Sequence, residues 1–446
     1  MKTILILEDN EDRIAGFERA VAELGDGFEL KIWRDAPSMI AECEQYFSSV
    51  ALISLDHDLN PQPGATTDPG TGMDLAEFLA DFLSVCPVLI HSSNTNCAYS
   101  MLNKLRFAGW TVDRVGPLGV EWIGITWLKR MRQLMEQCPN CWKVNLPSDH
   151  AVRVERIRLS LDGLGIGDAL GEMLSYRWAT APEWIAQNDF PSGPWFHTDD
   201  TEMAISIAAV LKSYGEINQD ALARRFARRF ERDPDRGYGS MTRIQMRQIC
   251  DGAQWKNTSA NAFGGQGSMG NGSAMRVAPL GAYFADDIER CVKEARDSSV
   301  VTHTHPEGVA GAIAVAVAAA MAWQLKNMTA NERSLRFFDE ILRLTPDSRV
   351  RQGILHASQT PFSVPGENVA KTLGNGSLVT APDTVPFCIW AAANHLGDFR
   401  EALSQTICVG GDCDTNAAIV GGIVALCAGR DSIPQEWLNA REELKI

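Results

Sequence analysis

The sequence predicts a multidomain protein, with an α/β parallel sheet over residues 1–136 followed by an all-α region over residues 151–446. Three observations carry that expectation. Strand-like and helix-like apolar segments alternate through the first part. Strand patterns become sparse after Val152, where long Ala-, Leu- and Ile-rich segments are punctuated by Gly and Pro. Two acidic clusters, Thr198-Asp199-Asp200-Thr201 and Asp412-Cys413-Asp414-Thr415, each stand directly before an apolar helical run. A chain of 446 residues has room for two or three domains. Residues 137–150, with two Pro and two Cys, read as a linker.

The elements follow in order. Residues 3–7 form a buried strand running into Glu8-Asp9-Asn10, and an amphipathic helix continues to Leu24. Residues 28–33 and 50–55 are the next strands, the latter ending in Asp56-His57-Asp58. A helix over 72–83, a strand over 87–91 and a helix over 96–108 complete the alternation. This order builds a parallel sheet with helices on both faces. Functional groups of such sheets gather at the carboxyl ends of the strands. Those ends are Glu8 and Asp9, then Asp56, His57 and Asp58, then His91 with Ser92, beside a Pro-, Gly- and Thr-rich loop over 61–71. In the second part, helices are expected over 203–214, 219–231, 288–298, 307–325, 385–396 and 416–427, with no short-period repeat.

Composition narrows the function. Hydrophobic residues make up 45% and charged residues 22%, the balance of a soluble globular protein with ample core. A net charge of −15 argues against general nucleic-acid binding, which favours a basic surface. Eleven cysteines lack a disulfide framework, and no signal-peptide pattern precedes the first strand, so reduced thiols and a cytoplasmic location are expected. Cys138-Pro-Asn-Cys141 is a lone CxxC, better read as a turn than as zinc ligands. The apolar run 310–323 falls short of the roughly 20 residues a membrane span needs. Small residues all around it suit a buried core helix instead, and no membrane partner is expected.

The acidic clusters carry the chemistry. Asp and Thr oxygens suit hard cations such as Mg²⁺ or Mn²⁺. Helix capping is the simpler explanation of each alone: Asp199 with Glu202 three residues on fits a capping box, and Asp414 fits an N-cap. Capping needs one side chain, however, and both clusters supply two carboxylates and a threonine. The duplication favours a two-metal site. The glycines of 163–171 permit close helix packing or backbone approach to a ligand, but no strand precedes them as a dinucleotide fingerprint requires. His303 and His305 have the wrong spacing for a shared zinc and suit packing or hydrogen bonding. Arg224, Arg225, Arg228 and Arg229 form a solvated face around the core-facing Phe226 and Phe230, and the following Arg236-Gly-Tyr-Gly239 turn is expected to approach the substrate.

Five motifs then occur in the order of the ADP-ribosylglycohydrolase family: Gly167-Asp-Ala-Leu-Gly171, His197-Thr-Asp-Asp-Thr-Glu202, Gly270-Asn-Gly-Ser-Ala-Met-Arg276, Thr302-His-Thr-His-Pro306 and Gly410-Gly-Asp-Cys-Asp-Thr415. Residues 155–430 resemble that family, which includes the dinitrogenase reductase-activating glycohydrolases and the ADP-ribosylarginine and ADP-ribosylserine hydrolases. The resemblance implies an all-α domain with two Mg²⁺ or Mn²⁺ ions that hold ADP-ribose by its distal ribose. Thr198, Asp199 and Asp200 would ligate from one side, and Asp412, Asp414 and Thr415 from the other. Asp199, Asp200 and Asp414 would be catalytic. Asp168, the loop Gly270, Asn271, Gly272, Ser273, Met275 and Arg276, then His303, His305 and Gly374 would line the substrate. One departure stands out. The gating Glu usual four residues after Gly171 is replaced by Ser175, and the nearest acid is Glu172.

The first part resembles a receiver domain in its paired acids after strand one, Asp after strand three and hydroxyl, Ser92 or Ser93, after strand four. It looks more like the receiver-related domains proposed to process cyclic phosphates, because of Asp56-His57-Asp58. The usual Lys after strand five is missing, and Arg114 is the only cation there. Its candidate site is Glu8, Asp9, Asp56, His57, Asp58 and His91. A receiver-shaped interaction module is the alternative.

The resulting expectation is a metal-dependent hydrolase that cleaves ADP-ribose from an acceptor, its partner being an ADP-ribosylated substrate. Two alternatives stay open: a catalytically reduced ADP-ribose-binding protein regulated by its receiver-like part, and a bifunctional enzyme whose first part acts on a cyclic phosphate.

Overall fold

The computed structural model describes residues 2–47, 49–62, 64, 67–82, 84–119, 121–137, 146–188 and 190–445. Cys138, Cys141 and most of the expected linker lie outside them. The chain divides into two compact units, Met1–Asn145 and Leu146–Ile446.

In the first unit, β1 (Lys2–Leu7), α1 (Glu11–Ala22), β2 (Phe28–Trp33), α2 (Ala36–Glu42), β3 (Val50–Leu55), α3 (Gly72–Ala80), β4 (Val88–Ile90), α4 (Thr95–Phe107), β5 (Val112–Arg114) and α5 (Leu128–Gln137) follow one another. The five strands are parallel in the order β2-β1-β3-β4-β5. Alternate residues of a strand face opposite sides, and here both sides are covered. Leu5, Leu7, Ile53 and Leu55 pack with Met39, Leu75 and Met101, while Ile4, Ile6 and Leu52 pack with Phe17, Trp127 and Met131. Burial on both faces explains why β1 and β3 read as continuous apolar runs. Side-chain caps start the helices at the carboxyl edge: Asn10 for α1, Asn94 for α4, and a Thr71–Asp74 capping box for α3. The seven-residue α2 went unread because it is too short to show a period.

The second unit is helical, with no strand among its described residues. Five of its helices frame the site: α6 (His150–Leu174), α7 (Asp199–Tyr214), α8 (Pro306–Gln324), α9 (Ala381–Asn394) and α10 (Cys413–Ala428). Helix α8 is apolar and long enough to cross a membrane by composition, yet 89% of its apolar window is buried inside the protein. Its small residues let other helices approach from all sides, as expected of a core helix.

Helix α6 runs antiparallel to α10 with almost nothing between the backbones. A Cβ on Gly163 would lie 2.3 Å from the Gly421 carbonyl oxygen, one on Gly167 2.0 Å from that of Ala417, and one on Gly171 2.4 Å from that of Cys413. The glycines at 163–171 are therefore a packing ridge, and this contact places Asp168 beside Asp414. Gly167→Ala should force the helices apart and destabilise the unit by ~3 kcal/mol, the upper range for overpacking, read as a lowered melting temperature. An unchanged melting temperature would disprove the ridge.

Candidate functional site

The two clusters distant in sequence meet. Carboxylate oxygens of Asp168, Asp200 and Asp414, drawn from α6, α7 and α10, all lie within 4.8 Å of one another. Asp199 and Thr198 flank Asp200, and Asp412 and Thr415 flank Asp414. Asp168 and Asp200 are buried, and Asp200 Oδ1 has no hydrogen-bond partner. Burial and neighbouring negative charge act together on these groups. Asp168 is pushed up to about 6 by burial and then by Asp414, against hydrogen bonds from Thr201 and Thr198. Burial and Asp414 push Asp412 up to about 8. Asp199 and Asp200 rise well above the usual carboxylate range by burial, then by Asp168 and Asp414. An orphaned buried oxygen amid repelling carboxylates is the environment a divalent cation relieves, so these oxygens fit the hard ion expected from the sequence.

The capping explanation holds only in part. The N-cap of α7 is Thr198, whose Oγ1 lies 3.4 Å from the Asp200 amide, and not Asp199. Glu202 closes no capping box: its carboxylate pairs with His197 Nε2 at 3.0 Å and with Arg229. Asp168 takes over the helix start from a distance. It accepts from the Thr198 amide at 3.0 Å, the Thr201 amide at 3.1 Å and both threonine hydroxyls. With its oxygens so engaged, Asp168 anchors the start of α7. Asp412 is the N-cap residue of α10 but makes no side-chain cap. Its Oδ2 instead accepts from Asn271 Nδ2 at 2.6 Å, and the same nitrogen is 3.1 Å from Thr384 Oγ1 on α9.

The Gly270 loop divides into two parts. Gly270 and Gly272 are half-exposed, while Asn271, Ser273, Met275 and Arg276 are buried. Ser273 donates to the Gly308 carbonyl at 2.9 Å, and Arg276 donates to Thr302 Oγ1 at 2.8 Å and stacks 4.4 Å from the Phe226 ring centroid. The glycines are thus the accessible part of the loop, and Ser273, Met275 and Arg276 are packed beneath it. His303 Nδ1 lies 2.7 Å from Thr302 Oγ1, and a Cβ on Gly272 would sit 3.1 Å from Nε2, so this ring lies against the loop. His305 is the N-cap of α8, its Nδ1 accepting from the Glu307 amide at 3.1 Å. Gly374, at φ +94°, presses on the Asp383 backbone, where any side chain would collide. The adjacent loop holds the Asp412 corner, since Asn375 O accepts from the Asp412 amide at 3.1 Å.

Ser175 carries no carboxylate into the site; its hydroxyl donates back to the Glu172 carbonyl at 2.8 Å. Glu172, in the last turn of α6, is raised by burial and by Asp414. Three further residues complete the surroundings. Trp178 lies against Gly410, where a Cβ would be 3.0 Å from the indole. The Asp199 amide donates to the Arg236 carbonyl at 2.7 Å, and Arg236 forms a two-pronged pair with Glu442, which stands 3.4 Å from His197 Nδ1. His197 belongs to the second motif and the Arg236-Gly-Tyr-Gly239 turn was also legible in the sequence; Trp178 and Glu442 carry no local signal.

The first unit gathers its candidates at the carboxyl edge of the sheet. Glu8 is buried: Oε1 accepts from the Asp9 and Asn10 amides, and Oε2 lies 3.3 Å from Arg13 and 3.4 Å from His91 Nε2. Arg13 also pairs with Asp56 at 2.8 Å. Burial would raise Glu8, but His91, the Asn10 amide and Arg13 outweigh it and its pKa is lowered. Asp56 is raised by burial and by Glu8. Asp9 accepts from both nitrogens of Asn60 at 2.8 Å. His57 Nδ1 lies 2.6 Å from Asp58, which also accepts from Asn94 at 3.3 Å. Arg114 donates to the Ser92 carbonyl and Thr95, filling the edge where a receiver's Lys was missed.

Comparisons with known proteins agree with this division. Residues 3–107 match the model of the cyclic-phosphate processing receiver domain, and residues 149–445 that of ADP-ribosylglycohydrolase. The chain is 29% identical to ADP-ribosylhydrolase ARH3 of Xenopus tropicalis over 66% of its own length and 93% of that protein, and 28% identical to the human ARH3 over 55% and 75%. An uncharacterized protein of Archaeoglobus fulgidus is 28% identical over 65% and 92%. A solved structure titled ADP-ribosylglycohydrolase-related protein complex aligns with 25% identity, 65% and 93% coverage and a TM-score of 0.45. The receiver-like first part and the all-α hydrolase second part expected from the sequence are both present, and the chain is an enzyme that belongs to the ADP-ribosylglycohydrolase family.

Proposed function

We propose that the second unit hydrolyses the bond between C1″ of the distal ribose of ADP-ribose and an acceptor group, with two Mg²⁺ or Mn²⁺ ions held by Thr198, Asp199, Asp200, Asp412, Asp414 and Thr415. The observation that carries this reading is the meeting of Asp200 and Asp414 around an oxygen with no partner. The ions would hold the ribose hydroxyls and acidify a water molecule. The protein's own part is positioning. Asp168 fixes the start of α7, Asn271 fixes Asp412, and the Arg236 carbonyl fixes the Asp199 amide. The Gly270 and Gly272 backbone would receive the diphosphate. Asp200 or Asp414 would accept the water proton as its oxygen bonds to C1″ and the acceptor leaves, through an oxocarbenium-like transition state. Glu172 is the carboxylate nearest the place of the missing gate.

His303 supports the loop in its neutral form. The Thr302 hydroxyl accepts from Arg276, so its own proton goes to His303 Nδ1 and the ring proton sits on Nε2, toward the glycines. Burial, then Arg276, lowers His303 to about 3.

For the first unit, the Asn94–Asp58–His57 chain of contacts supports a second activity, the opening of a cyclic phosphate with His57 as the proton-transfer group oriented by Asp58.

Saturating Mg²⁺ should raise the melting temperature of the second unit by roughly 5 °C or more. Asp200→Asn should melt higher than the wild type without metal, lose the Mg²⁺ shift and release no ADP-ribose from a modified substrate. A variant that still responds to Mg²⁺ would refute the metal site; a normal shift without ADP-ribose release by the wild type would leave a binding protein. His303→Gln should flatten the acid limb of stability. With a folded pKa below the unfolded one, the contribution of His303 is complete above about pH 6.5 and declines toward the folded value, a loss of ~2 kcal/mol by about pH 5. Equal slopes in melts of both proteins would discard its neutral, buried state. In the Asp414→Asn chain, cyclic phosphodiesters should still be opened, and His57→Ala should stop this; no turnover before that change would remove the second activity.

A further inference from the structure

We propose that the second unit carries a second ligand site, for a phosphate group borne on a small organic molecule, in a cavity that shares no lining residue with the acidic centre. The cavity, of about 460 Å³, lies among the first half of α6, the end of α8 and the C-terminal tail. Four arginines, Arg156, Arg158, Arg430 and Arg441, line it against two acids, Glu155 and Asp162. That surplus of positive charge stands in a chain of net charge −15. The pairing inside is uneven: Arg158 pairs with Glu155 at 2.7 Å, whereas the single carboxylate of Asp162, nearly buried, serves both Arg430 and Arg441.

Donor capacity is left over. Arg156 is 4% exposed and pairs with Asp286, yet its Nε has no hydrogen-bond partner, and neither has the Nε of Arg441. Beside them Trp323 has Arg156 5.6 Å and Lys326 3.3 Å from its ring centroid. Guanidinium groups match phosphate oxygens in geometry and shed water readily. Val152, Leu159 and Leu444 supply an aliphatic wall for the organic part. Such a pocket selects a phosphomonoester over a bare ion.

The tail ties this cavity to the hydrolase site. Arg441 reaches Asp162, whereas the next residue, Glu442, holds Arg236 beside Asp199, and the Lys445 carbonyl accepts from Arg229 at 2.6 Å. An anion that draws Arg441 away from Asp162 therefore acts on the same tail that braces the first acidic corner.

The test titrates the full chain, without divalent metal and at constant ionic strength, with inorganic phosphate and phenyl phosphate, by calorimetry and amide hydrogen exchange. Saturable binding is expected, with phenyl phosphate tighter by roughly threefold or more and with slowed exchange over 150–162 and 430–445. Arg430→Glu, and separately the exposed Arg158→Ser, should weaken it tenfold or more while keeping the wild-type melting temperature and Mg²⁺ response. Asn271→Ala, at the cleft, should leave it unchanged. Absence of saturation up to ~10 mM, binding unaffected by Arg430→Glu, or protection confined to 268–276 would each overturn the proposal.

Discussion

Two helices touching through their backbones set the position of everything around the acidic centre. Three glycines spaced four apart on α6 meet Cys413, Ala417 and Gly421 of α10, spaced likewise. Because no side chain intervenes, neither helix can slide or rotate without a collision between main chains. Asp168 projects from one member of this pair and Asp414 from the other, so their separation is inherited from the contact and not from flexible linkers. The remaining corner, at the start of α7, is then fastened to Asp168 by two amides and two hydroxyls.

That fastening solves an electrostatic problem. Several carboxylates at the edge of an apolar interior repel one another and lose hydration, which the elevated pKa values of Asp168, Asp199, Asp200 and Asp412 express. A loosely held group would turn outward to water. Here the Asp168 carboxylate is held by Thr198 and Thr201 and that of Asp412 by Asn271, itself 3.1 Å from Thr384, while the Arg236 carbonyl, whose side chain is braced by Glu442, holds the backbone of Asp199. The arrangement of the carboxylates is thus set by the protein's own anchors, the sense in which such a cluster is preorganised.

Much of this was legible in sequence, for reasons that differ by residue. Strands β1 and β3 were readable because both faces are buried, which removes any ambiguity of period. The acidic clusters were readable because each holds more carboxylates than a cap can use. The capping assignment failed at Asp199 and Glu202 because the anion that serves α7 comes from α6, some thirty positions earlier, and local spacing cannot report a remote partner. Arg276 misled for a related reason. The family resemblance set it along the substrate with the rest of its loop, whereas its guanidinium lies on Phe226 and Thr302. Arg13 shows the same limit in the first unit, where its role appears only once Glu8 and Asp56 stand side by side.

The apolar helix α8 has a consequence for biogenesis. Its composition alone would pass for a lipid anchor, and only the surrounding helices distinguish it from one. A nascent chain that has not yet wrapped this segment offers chaperones and bilayers a greasy rod whose one charge, Glu307, sits in its first turn. Slow wrapping would therefore end in aggregates, and the alanines and glycines along α8 leave that segment protected only once its neighbours have closed around it.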